Sequence, residues 1–279
     1  MQDQHFGFDA SVAALADNAP SAPRSRAAVG DSTVIDFASW VVALLAARKS
    51  AEDMILRDDI LAGLIAAASA ERSGALTEFM ADLVRRKVPP AAVSDLYIPA
   101  AAMRLGEDWM EDRVSFAEVT LATSRFQSML RAMAVVRDAD TATAEARAPC
   151  VLLCVMPGEQ HTLGALILMG QLRRSGVSVR LSLGLDPAEL AAWFATIRFD
   201  GALVSASGSS PVEMLAEFVR TLRALGHPGM PIVLGGGLLL QQRDIASATG
   251  VDAVAEDIGQ ALAACRIPNR NDGRARLQA

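Results

Sequence analysis

From Cys150 onward the sequence alternates short unbroken apolar runs with stretches whose apolar residues recur every three or four positions, and that alternation restricts the fold more than any other feature. The run CVLLCVM (150–156) is short and apolar at every position, as a strand buried on both faces must be. The same pattern predicts strands at 177–184 (VSVRLSLG), 201–205 (GALVS), 231–235 (PIVLG) and 252–255. Helices are predicted at 162–175, 187–197, 211–225, 240–248 and 257–264. Parallel strands need crossover connections, and helices supply them. Residues 150–267 are therefore expected to form a Rossmann-like (flavodoxin-like) α/β domain with a five-stranded parallel sheet. Ligands on such sheets bind beyond the carboxyl ends of the strands, so the loops there are the first place to look for chemistry.

Upstream the period is helical. Val34, Phe37, Val41, Leu44 and Leu45 fall on one stripe, and further helices are predicted over 51–69, 76–86, 90–109 and 115–137, punctuated by Pro89-Pro90 and Gly106. Ala-rich helices with short connections predict an antiparallel bundle over residues 31–137. Residues 1–30, rich in Ala, Ser, Pro and Asp without a sustained period, read as a flexible arm. The polar segment DADTATAEARAP (138–149) reads as a linker, and 268–279 as a C-terminal tail.

Composition narrows the function classes. With 26 Lys and Arg against 32 Asp and Glu, a net charge of −6 and no basic block, the chain lacks the clustered cations that neutralise phosphates, so no direct nucleic-acid binding is expected. Three cysteines, Cys150, Cys154 and Cys265, are an odd number, which argues against a disulfide framework and for a reducing compartment. The first residues have no basic segment followed by an apolar core, and no apolar run reaches spanning length, so a cytoplasmic protein without membrane contact is expected.

The loop after the first strand reads Pro157-Gly158-Glu159-Gln160-His161-Thr162-Leu163-Gly164. It is not a P-loop, because Gly164 is followed by Ala165-Leu166 where a Lys-Ser/Thr pair is required. It lacks the third glycine of a dinucleotide fingerprint, and the third strand ends in Ser205 where a phosphoreceiver domain has Asp. What it offers is Glu159-x-His161-x-x-Gly164: a carboxylate that can hold one imidazole nitrogen, fix the tautomer and leave the other nitrogen for a metal. A loop histidine with a chance acidic neighbour is the plainer alternative. The third strand ends in a small, hydroxyl-rich run with Ser205 and Ser207, and the fourth in Gly235-Gly236-Gly237. Together these loops suggest a slot lined by Gly and Ser with one ligand at its mouth. Cys150 and Cys154 share a strand face and read as core, while His227, before Pro228, reads as a solvent-facing turn residue.

The set Glu159-x-His161-x-x-Gly164, Ser205-x-Ser207 and Gly235-Gly236 resembles the cobalamin-binding domains that hold their cofactor base-off with a histidine on cobalt, where the pattern is D-x-H-x-x-G, S-x-L/T, G-G. The chain departs from it in having Glu for Asp and Ser at the third position of the serine motif. The resemblance implies cobalamin as cofactor and His161 as lower axial cobalt ligand. It implies that Glu159 orients the imidazole, that Thr162 and Gly164 border the nucleotide tail, that Ser205 and Ser207 stand beside it, and that Gly235 and Gly236 line its channel. Leu105-Gly106-Glu107-x-Trp109 with Ser115-Phe116-Ala117-Glu118 resembles the helical cap of such proteins, which implies Trp109 over the upper corrin face, unless it is simply core. Light-sensing members have a histidine after that Glu; here Val119 stands there, leaving His5 in the arm as a candidate upper ligand. The whole resembles the PpaA/AerR antirepressors of photosynthesis gene expression in purple bacteria. That implies a light- or redox-responsive transcriptional regulator that is not an enzyme and whose partner is a PpsR/CrtJ-type repressor. A corrinoid shuttle of a methyltransferase system, or a heme-binding or cofactor-free module, are the alternatives.

Overall fold

The structure is a computed structural model and describes residues 55–72, 74–141, 148–184, 186–207, 210–240 and 244–269. The expected arm with His5, the stripe from Val34 to Leu45 and the tail from 270 lie outside the described residues.

The sheet is five-stranded and entirely parallel, in the order β2-β1-β3-β4-β5, as the alternating pattern predicts. Its strands are β1 (Cys150–Val155), β2 (Ser178–Leu183), β3 (Gly201–Ser205), β4 (Ile232–Gly235) and β5 (Ala253–Val254). Side chains alternate between the two faces of the sheet with period two. On one face Leu152, Cys154, Ala202, Val204, Ile232 and Leu234 pack with helical residues that include Leu190, Leu215, Phe218 and Leu222. On the other, Val151, Leu153, Val155, Leu203 and Val233 join a cluster that continues into the helical half through Tyr97, Phe126 and Met129. Burial on both faces is why β1 carries no polar residue. Cys154 is fully buried, which pushes its thiol up far beyond the ordinary range, and Cys265 is pushed up to about 11 by burial and by the charges of Asp200 and Asp252. Both are core groups.

The helical half begins with α1 (Asp58–Ser69) and α2 (Ala75–Arg85). Asp58 and Asp59 in the first turn of α1 complement the helix dipole. At its other end, the Arg125 guanidinium donates to the carbonyls of Ala68 and Ala70, both at 2.6 Å, groups that a helix terminus otherwise leaves without a partner. Pro90 opens α3 (Pro90–Ala92), where its missing N–H is harmless. The single helix expected over 90–109 is interrupted: a π-helical turn (Val93–Tyr97) separates α3 from α4 (Ile98–Met110), and the Ile98 amide donates five residues back to Val93. A helical period read from apolar spacing does not register one extra residue in a turn.

Helix α5 (Phe116–Thr141) starts from a reciprocal cap. The Ser115 amide donates to Glu118 at 2.7 Å and the Glu118 amide to the Ser115 hydroxyl at 3.2 Å, and the Ser115 amide and hydroxyl hold the Glu118 carboxyl below its ordinary range. Ser115 and Glu118 thus have a local folding role. The helix runs four residues into the segment expected to be linker, because Asp138-Ala139-Asp140-Thr141 contains neither Gly nor Pro to stop it.

In the α/β half the helices are α6 (Leu163–Arg174), α7 (Pro187–Thr196), α8 (Val212–Leu225), α9 (Ile245–Thr249) and α10 (Ile258–Ala264). Asp186 caps α7 in a full capping box with Glu189. The helix expected over 240–248 is shorter: a 3-10 turn (Gly237–Leu240) precedes α9. His227 also departs from expectation. It is half-buried, its Nε2 3.0 Å from the Phe199 carbonyl, so the ring ties the turn before β4 to the turn before β3. Among the described residues no helix is long and apolar enough to cross a membrane. Arg125→Ala is expected to lower stability by about 2 kcal/mol in urea unfolding, the scale for charge-assisted hydrogen bonds to carbonyls left otherwise unpaired.

Candidate functional site

Strand register decides which loops meet. Val155 pairs with Ser205 and Ser205 with Gly235, so the carboxyl ends of β1, β3 and β4 stand in one row. Because β2 lies on one side of β1 and β3 on the other, the chain leaves β1 and β3 in opposite directions, and the crevice between those two loops is where parallel sheets of this order receive ligands.

The Glu159 side chain fills that crevice and is only 8% exposed. Its Oε1 accepts from the His161 amide at 2.9 Å and lies 2.6 Å from His161 Nδ1. Its Oε2 accepts from the Ser210 hydroxyl at 3.0 Å and from Ser207 at a shorter separation. Burial alone would raise the Glu159 carboxyl. The donors from Ser207, the His161 amide and ring, and Ser210 outweigh it and hold the group down at about 2. An ionised carboxylate beside Nδ1 makes that nitrogen the donor, which directs the lone pair of a neutral imidazole to Nε2. The His161 side chain is 72% exposed, so the ring presents itself to solvent. Glu in place of Asp gives the carboxylate the reach to join the imidazole to the β3 loop.

The structure brings together Glu159, His161 and Ser207, and adds Ser210, which sequence reasoning did not single out. Its signal was the hydroxyl-rich run after β3, but that run alone does not say which hydroxyl turns toward the carboxylate. Thr162 is the residue before α6, and its carbonyl accepts the Leu166 amide at 3.1 Å. Gly164 lies in the first turn of α6, where an added Cβ would meet open space. Ser205 stays in the sheet between Val155 and Gly235.

Gly235 and Gly236 have a reason within the chain itself. Gly236 has φ +104°, and a Cβ there would run into the Ala206 carbonyl; at Gly235 a Cβ would stand 3.1 Å from the Ala255 carbonyl. The Ala206 amide donates to Gly235 and the Leu238 amide to Ala206, so the β3 and β4 loops touch backbone to backbone. The cavity beside Glu159, about 230 Å³, is lined by Met156, Pro157, Gly158, Glu159, Ser210, Pro211 and Met214, so methionine and proline replace much of the expected Gly/Ser lining. Trp109, at the end of α4, is 48% exposed, which removes the core alternative for it, and its ring lies 6.1 Å from Phe116. Met110 and Phe116 are exposed nearby. Among the described residues no cluster of three or more His, Cys, Asp or Glu could hold a metal ion by itself, so a metal here would need most of its ligands from elsewhere.

No protein-family model matches the chain. An uncharacterized 20.5 kDa protein of the bchF-crtJ intergenic region of Rhodobacter capsulatus is 42% identical over 171 residues, which span 61% of this chain and 88% of that protein. The chain belongs to that protein's family. Among solved structures, the monomethylamine corrinoid protein of Methanosarcina barkeri superposes with a TM-score of 0.55 at 14% identity, over 76% of this chain and 97% of its own. That likeness shows a shared fold: a helical portion joined to a five-stranded parallel sheet domain. A cobalamin-binding protein from Desulfitobacterium hafniense aligns with a TM-score of 0.39 at 13% identity, over 83% of this chain and 98% of its own.

Because the folded-state value of Glu159 lies below that of a free carboxylate, its stabilisation is complete above about pH 4.5 and is lost as pH falls toward 2. Carbon-detected NMR titration should find its midpoint near 2, and Ser207→Ala with Ser210→Ala should move that midpoint upward. Gly236→Ala should lower stability by about 2 kcal/mol or more in denaturant unfolding, since it combines a left-handed residue with a backbone collision.

Proposed function

We propose that this chain is a cobalamin-binding, light- or redox-responsive regulator that relieves repression of photosynthesis genes by docking on a PpsR/CrtJ-type repressor. The observation that carries the reading is the His161 imidazole, locked at Nδ1 by an ionised, buried carboxylate and free at Nε2, at the carboxyl edge of a parallel sheet. Such a single imidazole nitrogen would serve a metal that a macrocycle already holds. The open space at Gly164 leaves the first turn of α6 uncovered on the side where a large group would pass. The superposable Methanosarcina barkeri structure is that of a corrinoid protein, which supports the cofactor class. The Rhodobacter capsulatus relative supports the partner class, because its name places it beside crtJ.

In this reading His161 would hold the cobalt, and Glu159 keeps the imidazole in the tautomer that can do so. Ser207 and Ser210 keep Glu159 ionised and aimed at the ring. Thr162, Gly164, Ser205, Gly235 and Gly236 would border the nucleotide tail, and Trp109 would cover the corrin. When bound, cobalamin would supply light- and redox-sensitive metal chemistry at this edge of the sheet. The exposed apolar side chains Trp109, Met110 and Phe116 would offer the partner a contact surface in the helical half.

Two measurements test this. Purified protein with hydroxocobalamin should show a protein-bound absorption spectrum with high affinity, and His161→Ala should weaken binding by about tenfold or more while leaving the circular dichroism unchanged. Identical spectra for the two proteins would remove the axial role. Repressor binding should differ between loaded and unloaded protein, or between light and dark. Equal binding in all four conditions, together with methyl uptake by the bound cobalt, would favour a corrinoid shuttle instead.

A further inference from the structure

Helix α6 begins at the residue after Thr162 and ends at Arg174, so one rigid segment of twelve residues, about 18 Å long, runs from the imidazole loop to the seam with the helical half. Its buried side chains Ala165, Leu166, Met169 and Leu172 belong to the apolar cluster shared with Tyr97, Phe126 and Met129. At its far end the Arg174 guanidinium pairs with the Asp95 carboxylate, and Nη1 lies 3.4 Å from the Ser94 hydroxyl. Ser94 is buried and donates to Asp95 Oδ1 at 2.8 Å. Arg174 and Asp95 are 22% and 19% exposed, so this pair is far drier than the surface pairs elsewhere in the bundle, such as Arg72 with Glu78.

Two further observations single out this contact. Asp95 and Ser94 both lie in the π turn Val93–Tyr97, where hydrogen bonds run to the fifth residue. A π turn holds one more residue than an α turn and occurs mostly as a single-turn bulge, frequently at functional sites. Gly170 stands one turn before Arg174 on α6, and a Cβ there would lie 3.3 Å from Arg174 Nη1. A glycine inside a helix costs about 1 kcal/mol relative to alanine. Here its bare backbone lets the guanidinium lie back along the helix toward the π turn.

From this we infer that α6 is a lever and the Arg174–Asp95–Ser94 contact its latch: the state of the His161 loop sets the stability of the π turn in the helical half through Arg174. Glu159 anchors the loop at one end of α6, the shared apolar cluster keeps the helix rigid, and the latch delivers the change to the π turn. The inference concerns the chain alone and holds whether or not the loop receives a corrinoid.

Hydrogen exchange on the unloaded full chain tests it with four proteins: the wild type, Glu159→Gln, Arg174→Met and the double variant. Releasing the loop with Glu159→Gln is expected to speed exchange of amides 93–97 by about threefold or more when Arg174 is present, and by much less in the Arg174→Met background. An equal effect in both backgrounds, or no effect of Glu159→Gln on 93–97, overturns the lever. Should Arg174→Met not fold, Arg174→Lys keeps the charge without the forked reach and should give a partial loss of coupling; full coupling there would count against the latch. Because no cofactor is added, a failure of cobalamin binding would leave these outcomes readable.

Discussion

A carboxylate that loses its water must be given donors, and the arrangement of Glu159 at the carboxyl edge of the sheet follows from that constraint. Four donors from two loops converge on its oxygens, and they come from segments about fifty positions apart in the chain. Without the parallel pairing of β1 with β3 those loops would not be neighbours; without the donors the buried group would bind a proton and lose its hold on the imidazole. The sheet therefore sets an electrostatic state, and that state defines which nitrogen of His161 is offered outward.

The same economy of position governs the glycines and the cap of α5. Gly236 answers first to the contact between the β3 and β4 loops, and Ser115 with Glu118 answers first to the unsatisfied amides of a helix start. Residues that resemble a binding motif can thus be required by the fold as well. No core packing accounts for His161: its ring is exposed, and a buried acid orients it.

The helical and α/β halves are not separate cores. One apolar cluster runs from the inner face of the sheet through α6 into the bundle, and a partly buried ion pair closes the seam at the end of α6. For an ion pair of that kind the cost of taking the charges out of water offsets much of their attraction, so the apolar cluster carries most of the seam's stability.

The sequence by itself determined the sheet and its helices, because a strand buried on both faces must be apolar at every position and CVLLCVM can be little else. It also marked Glu159 and His161, since an acid two residues before a histidine is a local pattern. It did not reveal Ser210 as a partner of Glu159, the π turn at Val93–Tyr97, or the Arg174–Asp95 pair. Those depend on contacts between residues distant in the chain or on a single extra residue in a helical turn, and periodicity carries neither. Only the packed structure, by placing β3 beside β1 and α6 against the bundle, decided which hydroxyls and which guanidinium each carboxylate would meet.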